Sequence, residues 1–207
     1  MKSIILIDFD GTIINEDSAE LILGQFASGN WRKYDDLLLA DEITLEECLE
    51  KQFATVTESE EEIIAYLQSK ITFRTGFPEF INRCTKNKIP LLIVSAGIDF
   101  VIKYYLESIA NISVPLVTAK ITSHSAGYSF KFPPLESPKS KNFKEDLVKQ
   151  YKMKNYLVSF IGDGIGDYYA IKGADHGYIV RHSELEGLCK RNNVPYSSFN
   201  TFDEIKI

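Results

Sequence analysis

The stretch Ser3-Ile-Ile-Leu-Ile-Asp-Phe-Asp-Gly-Thr12 constrains the fold more than any other part of the chain. Ile4 to Ile7 form an unbroken apolar run, the pattern of a strand covered on both faces, as in a parallel sheet. Asp8 and Asp10 follow with only Phe9 between them, and Gly11 comes next. Residues two apart on a strand share a side, so both carboxylates can face one cleft. A buried strand that ends this way needs a partner for its charge.

Four further segments read as strands of the same sheet: 90–95, 114–119, 156–161 and 177–180. Helical patterns at 98–109, 142–151 and 168–172 alternate with them, which predicts an α/β, Rossmann-like, doubly wound and mostly parallel sheet. Residues 125–132, alternating around Gly127, predict a small hairpin. The interval 14–75 carries no strand pattern. Thr44 with Glu47, and Ser59 with Glu62, are capping-box signatures, and Asp17 with Glu20 opens a third helix. A helical interval this long is no ordinary loop. It predicts an inserted all-helical cap at 14–75 on a core made of 1–13 and 76–207.

The bulk numbers exclude several classes of function. A formal net charge of −6 argues against a general nucleic-acid or anionic-membrane surface, so neither partner is expected. Cys48, Cys84 and Cys189 lie far apart without metal-ligand spacing, against zinc or a disulfide framework. The opening apolar run is too short for a signal peptide or a membrane span. The expectation is a soluble cytoplasmic protein, as monomer or homodimer.

Ligands of open α/β sheets bind at the carboxyl edges of the strands. At that edge the first strand delivers Asp8 and Asp10, the second Ser95, Ala96 and Gly97, and the fourth Asp163 and Asp167 from Gly-Asp-Gly-Ile-Gly-Asp. Carboxylates packed this closely call for a hard cation, and Mg²⁺ prefers oxygen ligands. With it in place, Asp8 can attack phosphorus. Asp10 can protonate the leaving oxygen and then deprotonate water. Ser95, the amides of Ala96 and Gly97, and one lysine would hold the phosphoryl oxygens. Lys139, Lys141 and Lys144 are all available. With Ser137 as N-cap and Pro138 at the first helical position, Lys139 falls in the first turn and is preferred, with Lys141 next.

The Asp-Phe-Asp-Gly-Thr motif, the strand ending in Ser95, a lysine ahead of GDGxxD and a helical insert after the first motif together resemble the haloacid-dehalogenase superfamily of phosphatases. The insert looks like the cap of phosphoserine phosphatase. Residues 8–31, 76–100 and 194–205 are similar to the 2-hydroxy-3-keto-5-methylthiopentenyl-1-phosphate phosphatases of methionine salvage. The resemblance implies Asp8 as nucleophile, Asp10 as acid/base, and Ser95 with a lysine as phosphate ligands. It implies Mg²⁺ on Asp8, the Asp10 carbonyl and Asp163, supported by Asp167. The implied substrate is a small phosphorylated metabolite of the methionine-salvage type; alternatives are phosphoserine, pyridoxal phosphate or another monoester. Gly166 stands where phosphoserine phosphatase carries asparagine, and Gln52 where it carries the arginine that clamps a carboxylate. The cysteine-rich segment that the salvage group carries before its lysine is missing.

Blander readings stand beside these. Asp8 and Asp10 could be solvated loop residues, Ser95 and Asp167 helix caps, and Asp17 an ordinary N-cap. Trp31 and Phe26 could pack inside the cap or line the substrate. The three histidines, His124, His176 and His182, have no ligand spacing. A non-catalytic phosphate-metabolite binder would lack the nucleophile or Asp10, and both are present.

Overall fold

The structure is a computed structural model that describes residues 2–40, 42–124 and 127–207. The first strand, β1 (Lys2–Ile7), runs into a block of four helices, α1 (Ser18–Phe26), α2 (Lys33–Leu39), α3 (Leu45–Phe53) and α4 (Glu60–Leu67). The chain returns through α5 (Phe77–Lys86) to β2 (Leu91–Val94), α6 (Asp99–Lys103), β3 (Leu116–Val117) and a hairpin of β4 (Lys120–His124) and β5 (Gly127–Lys131). It closes with α7 (Phe143–Met153), β6 (Tyr156–Gly162), α8 (Tyr168–Gly173), β7 (His176–Val180), α9 (Glu184–Arg191) and β8 (Ser197–Phe199).

The main sheet has the strand order β3-β2-β1-β6-β7-β8, and every pairing in it is parallel. This is the doubly wound order, with the reversal between β1 and β6. Ile7 registers with Ile93 of β2 and Ile161 of β6. The residues after β1 and β6 therefore emerge side by side at the switch point. Ile4 to Ile7 are buried on both faces of the sheet, which is why β1 reads as a continuous apolar run.

The helix ends follow their side chains. Thr44 and Glu47, and Ser59 and Glu62, close reciprocal capping boxes at α3 and α4. Asp17 accepts from the Glu20 amide at the start of α1. The block joins the sheet through two segments held together. Asn15 N donates to Thr72 O and Arg74 N to Ile13 O, while the Glu16 carboxylate accepts from both the Thr72 amide and hydroxyl. The hairpin braces the block from the other side: Phe130 packs edge-on against Phe53, and Tyr128 Oη donates to Glu58 O at 2.6 Å.

Several expectations need correcting. The hairpin spans Lys120–Lys131 and not 125–132, and Ser125 and Ala126 at its tip lie outside the described residues. The helix expected at 98–109 is α-helical only through Lys103 and continues as a π-helical turn, Tyr104–Ile109. Ser137 and Pro138 do not open α7. Asn142 is its N-cap, accepting from the Glu145 amide, and 137–141 form a turn. Asp146 pulls that turn onto the helix, accepting from Glu136 N, Ser137 N and Ser140 Oγ at 2.8–3.0 Å, and from Gln150 Nε2. No helix among the described residues is long and apolar enough to cross a membrane.

Burial pushes the Asp146 carboxyl up, but its hydrogen bonds outweigh this and hold it below its ordinary value. A depressed folded-state value contributes stability that is complete above the ordinary carboxylate range and is lost as pH falls through the folded value. Asp146→Ala is expected to lower unfolding stability by about 2 kcal/mol at neutral pH. Urea titrations should show the difference from wild type shrinking below about pH 4.

Candidate active site

Asp8 leaves β1 with one carboxylate oxygen accepting from the Phe9 amide at 2.8 Å. The other oxygen receives Lys144 Nζ at 2.8 Å, and Asp167 Oδ1 receives the same ammonium at 2.7 Å. Lys144 is buried, as are both of its partners. Burial alone would lower its pKa, yet the Asp167 and Asp8 charges and hydrogen bonds override this, and the net shift is upward. Lys144 is therefore a fixed positive charge. It reaches the strand tips because Asn142 both caps α7 and donates through Nδ2 to Gly166 O in the loop after β6.

Asp163 and Asp167 come from that loop. Thr12 Oγ1 donates to Asp163 Oδ1 at 2.7 Å. Asp167 turns back so that Oδ2 accepts from the Asp163 and Gly164 amides. Asp8, Asp163 and Asp167 each present an oxygen within 4.8 Å of the others, a spacing that could hold a metal ion. One ammonium faces three carboxylates. Burial, then the Asp8 charge, pushes the Asp167 carboxyl up to about 7, with Lys144 pulling the other way. Asp163 is raised well above its ordinary value by burial and by Asp8 and Asp167. These shifts mark a deficit of positive charge in an all-oxygen donor set, which a hard divalent cation such as Mg²⁺ fits.

Asp10 stands apart from this cluster. Its Oδ1 accepts from the Ser18 amide at 2.8 Å, and its Oδ2 is shut off from solvent without a partner. Burial, with the charges of Asp17 and Asp8, pushes its carboxyl up to about 7 against the Ser18 amide hydrogen bond. A carboxyl poised near neutrality can give a proton and take one back. Two glycines make the close approach possible. Gly11, in the left-handed region at φ 64°, lies where any Cβ would collide with Asp163. A Cβ on Gly97 would collide with Asp10 Oδ2.

The structure gathers Asp8, Asp10, Ser95, Ala96, Gly97, Asp163 and Asp167 around one cavity of about 460 Å³, and Lys144 lines it with them. Ser95 is buried, and its hydroxyl accepts from the Gly97 amide at 3.0 Å. Ser95 caps no helix, because α6 starts later, with Ile98 at its N-cap position. Lys139 is not at the site; it lies exposed in the turn before α7, and Lys141 is exposed too. Pro138 drew the expected helix start several residues too early. The signal for Lys144 was the Asn142–Glu145 spacing, which fixes where α7 starts and places Lys144 and Val148 on its buried side. Arg74 was also missed. Its guanidinium donates to the carbonyls of Gly11 and Thr12 at 2.5 and 2.8 Å, clamping the turn after β1 from the returning connection. Trp31 lines the cavity, whereas Phe26 packs edge-on against Tyr66. Cys48, Cys84 and Cys189 are all free and buried.

The sheet delivers paired aspartates, a glycine turn and a buried lysine to one edge, and residues 5–172 match the model of the haloacid dehalogenase-like hydrolases. The chain belongs to that family. Among proteins of known name it is similar to 2-hydroxy-3-keto-5-methylthiopentenyl-1-phosphate phosphatase of Brevibacillus brevis, at 28% identity over 99% of this chain and 93% of the relative. The protein of that name from Bacillus cytotoxicus is 29% identical, covering 98% and 93%. Of solved structures, a substrate-bound phosphoserine phosphatase complex superposes with a TM-score of 0.73 at 17% identity, covering 99% of this chain and 97% of the other. A phospho-aspartyl intermediate analogue of phosphoserine phosphatase gives 0.71 at 16%, with the same coverage. The structural likeness shows the shared fold. Family and relatives together support a phosphoric monoester hydrolase.

Lys144→Met leaves Asp8 and Asp167 buried without their cation and is expected to cost roughly 3 kcal/mol of stability in metal-free buffer. Lys139→Ala should stay within about 0.5 kcal/mol of wild type. Parallel urea denaturation of the two variants checks both values.

Proposed function

We propose that this chain is a Mg²⁺-dependent phosphomonoesterase working through an aspartyl-phosphate on Asp8, with a small methionine-salvage-type phosphate ester as substrate. The observation that carries the reading is the pairing at the switch point: the Asp8 carboxylate held by Lys144, with a second, buried carboxyl on Asp10 lining the same cavity, its Oδ2 shut off from solvent. The names of the relatives support the substrate, and the helices of 14–75 serve as the cap over it.

In this reading the Asp8 carboxylate, oriented by Lys144 and the Phe9 amide, attacks phosphorus, and the bond from phosphorus to the ester oxygen breaks. Asp10 gives its proton to the departing oxygen. Water then attacks the aspartyl-phosphate while Asp10 takes back a proton, and inorganic phosphate leaves with Asp8 restored. The Ser95 hydroxyl, oriented by the Gly97 amide that donates to it, and the Ala96 amide donate to the phosphoryl oxygens, and Lys144 balances charge on both sides of the transfer. Asp8, Asp163 and the Asp10 carbonyl would hold Mg²⁺, supported by Asp167; when bound, it neutralises charge on the phosphoryl oxygens. The four-helix cap excludes bulk water from the reacting ester.

Hydrolysis of p-nitrophenyl phosphate with and without Mg²⁺ tests the reading. Asp8→Asn should reduce kcat by about 10³-fold or more, because the nucleophile is gone. Asp10→Asn should reduce it by about 10²–10⁴-fold. Chelation should silence wild type reversibly. Full activity of Asp8→Asn contradicts the assignment.

A further inference from the structure

The turn that follows β1 is wound about a single oxygen. Phe9 O accepts from the Thr12, Ile13 and Ile14 amides at 2.8–3.3 Å. In a trans peptide the carbonyl points opposite to the next amide, so the carbonyls of Gly11, Thr12 and Ile13 turn away from Phe9. One residue meets all three. The Arg74 amide donates to Ile13 O at 2.8 Å, its Nε to Thr12 O at 2.8 Å and a terminal guanidinium nitrogen to Gly11 O at 2.5 Å. Among the described residues no other donor reaches Gly11 O or Thr12 O. The guanidinium is steadied from its far side, where its second terminal nitrogen donates to Asn200 O at 3.3 Å and Phe202 N donates to Thr75 O.

Asp10 lies inside this turn, between Phe9 and Gly11. Its Oδ1 is held by the Ser18 amide, its Oδ2 has no partner, and the Gly97 backbone passes so close that a Cβ there would collide with Oδ2. The reach of the carboxyl into the cavity is therefore set by the backbone that carries it. Gly11, at φ 64°, is the neighbour that changes conformation at least cost. Without the guanidinium, Gly11 O and Thr12 O lose their donors, and the turn relaxes at Gly11. Such a rotation moves Asp10 relative to Asp8, which is anchored separately by its own amide on Ile161 O, by the Phe9 amide and by Lys144. A misplacement of about 1 Å is enough to cost about 10²-fold in a transfer step.

We infer that Arg74 is a positioning residue for the acid/base step: by holding the carbonyls of Gly11, Thr12 and Ile13 it fixes the reach of the Asp10 carboxyl to the leaving oxygen, while Asp8 is placed independently of it. The inference rests on the phosphatase reading and adds a residue that touches neither the phosphoryl group nor the ester. Its mark is a dependence on the leaving group. An oxygen that departs readily as an anion needs less help from a proton donor than a more basic one. A clamp that only held the fold together would slow both kinds of ester alike.

The test measures kcat/KM for p-nitrophenyl phosphate and for phenyl phosphate, whose leaving oxygen is the more basic, in saturating Mg²⁺. Wild type is compared with Arg74→Met, Arg74→Lys, Asp10→Asn and the Arg74→Met/Asp10→Asn double variant. Arg74→Met should lower the value for phenyl phosphate by about 100-fold and that for p-nitrophenyl phosphate by about tenfold or less. In the Asp10→Asn background the same substitution should cost less than about threefold on either ester, because no proton donor is left to misplace. The ammonium of Arg74→Lys can still donate to a carbonyl but lacks the planar fork. That variant should fall between wild type and Arg74→Met, with the larger loss again on phenyl phosphate, and it carries the test if Arg74→Met does not fold. Equal losses on the two esters, an undiminished loss in the Asp10→Asn background, or wild-type values in both Arg74 variants overturns the positioning inference and leaves the phosphatase reading intact. Wild type inactive on both esters overturns both.

Discussion

One buried ammonium organises the reactive edge of this protein. Lys144 sits between Asp8 and Asp167, both within 2.8 Å, and has almost no contact with water. A lysine is held there only because two carboxylates and their backbone donors surround it. The Asn142 cap fixes where α7 begins, its bond to Gly166 O docks the helix on the loop after β6, and Asp146 folds the preceding turn out of the way. Yet the ammonium does not balance the cluster, because Asp163 stands beside it as a third carboxylate. The same imbalance that makes the site costly to build gives it a donor set that could hold a divalent cation.

The sheet was legible because parallel strands buried on both faces leave apolar runs, as at Ile4–Ile7 and Leu91–Val94. Helix starts were legible at Thr44 and Ser59, where a side chain caps its own backbone, but not at Asn142 or Ser183, which cap α7 and α9 in the same way. What could not be read depends on tertiary partners. β8 is a three-residue edge strand beginning Ser-Ser, and it has neither length nor alternation to announce it. The π-helical turn after Lys103 follows a run that is helical in pattern throughout.

The carboxylates of the site were legible for a related reason: Asp8, Asp10, Asp163 and Asp167 all sit within a few residues of a buried strand end, so topology alone brings them together. Lys144 was missed because a buried lysine runs against its usual preference and its partners lie elsewhere in the chain, although the Asn142–Glu145 spacing marks where its helix starts. Pro138 also offered a competing helix start, which favoured Lys139. Arg74 was hidden similarly. It belongs by sequence to the connection returning from the helices, but by contact to the turn after β1. That clamp ties the two connections between sheet and helical block to the turn that carries Asp10 and Gly11.

The account turns on whether Asp8 becomes covalently phosphorylated. Rapid acid quench of wild type during turnover of a phosphate ester in Mg²⁺, followed by peptide mass spectrometry, reads this out directly. The account predicts a phosphorylated peptide spanning the Ile7–Thr12 turn with the modification on Asp8, appearing before steady state and decaying once substrate is exhausted. A modification on any other residue, or product released in a single turnover with Asp8 unmodified throughout, contradicts it.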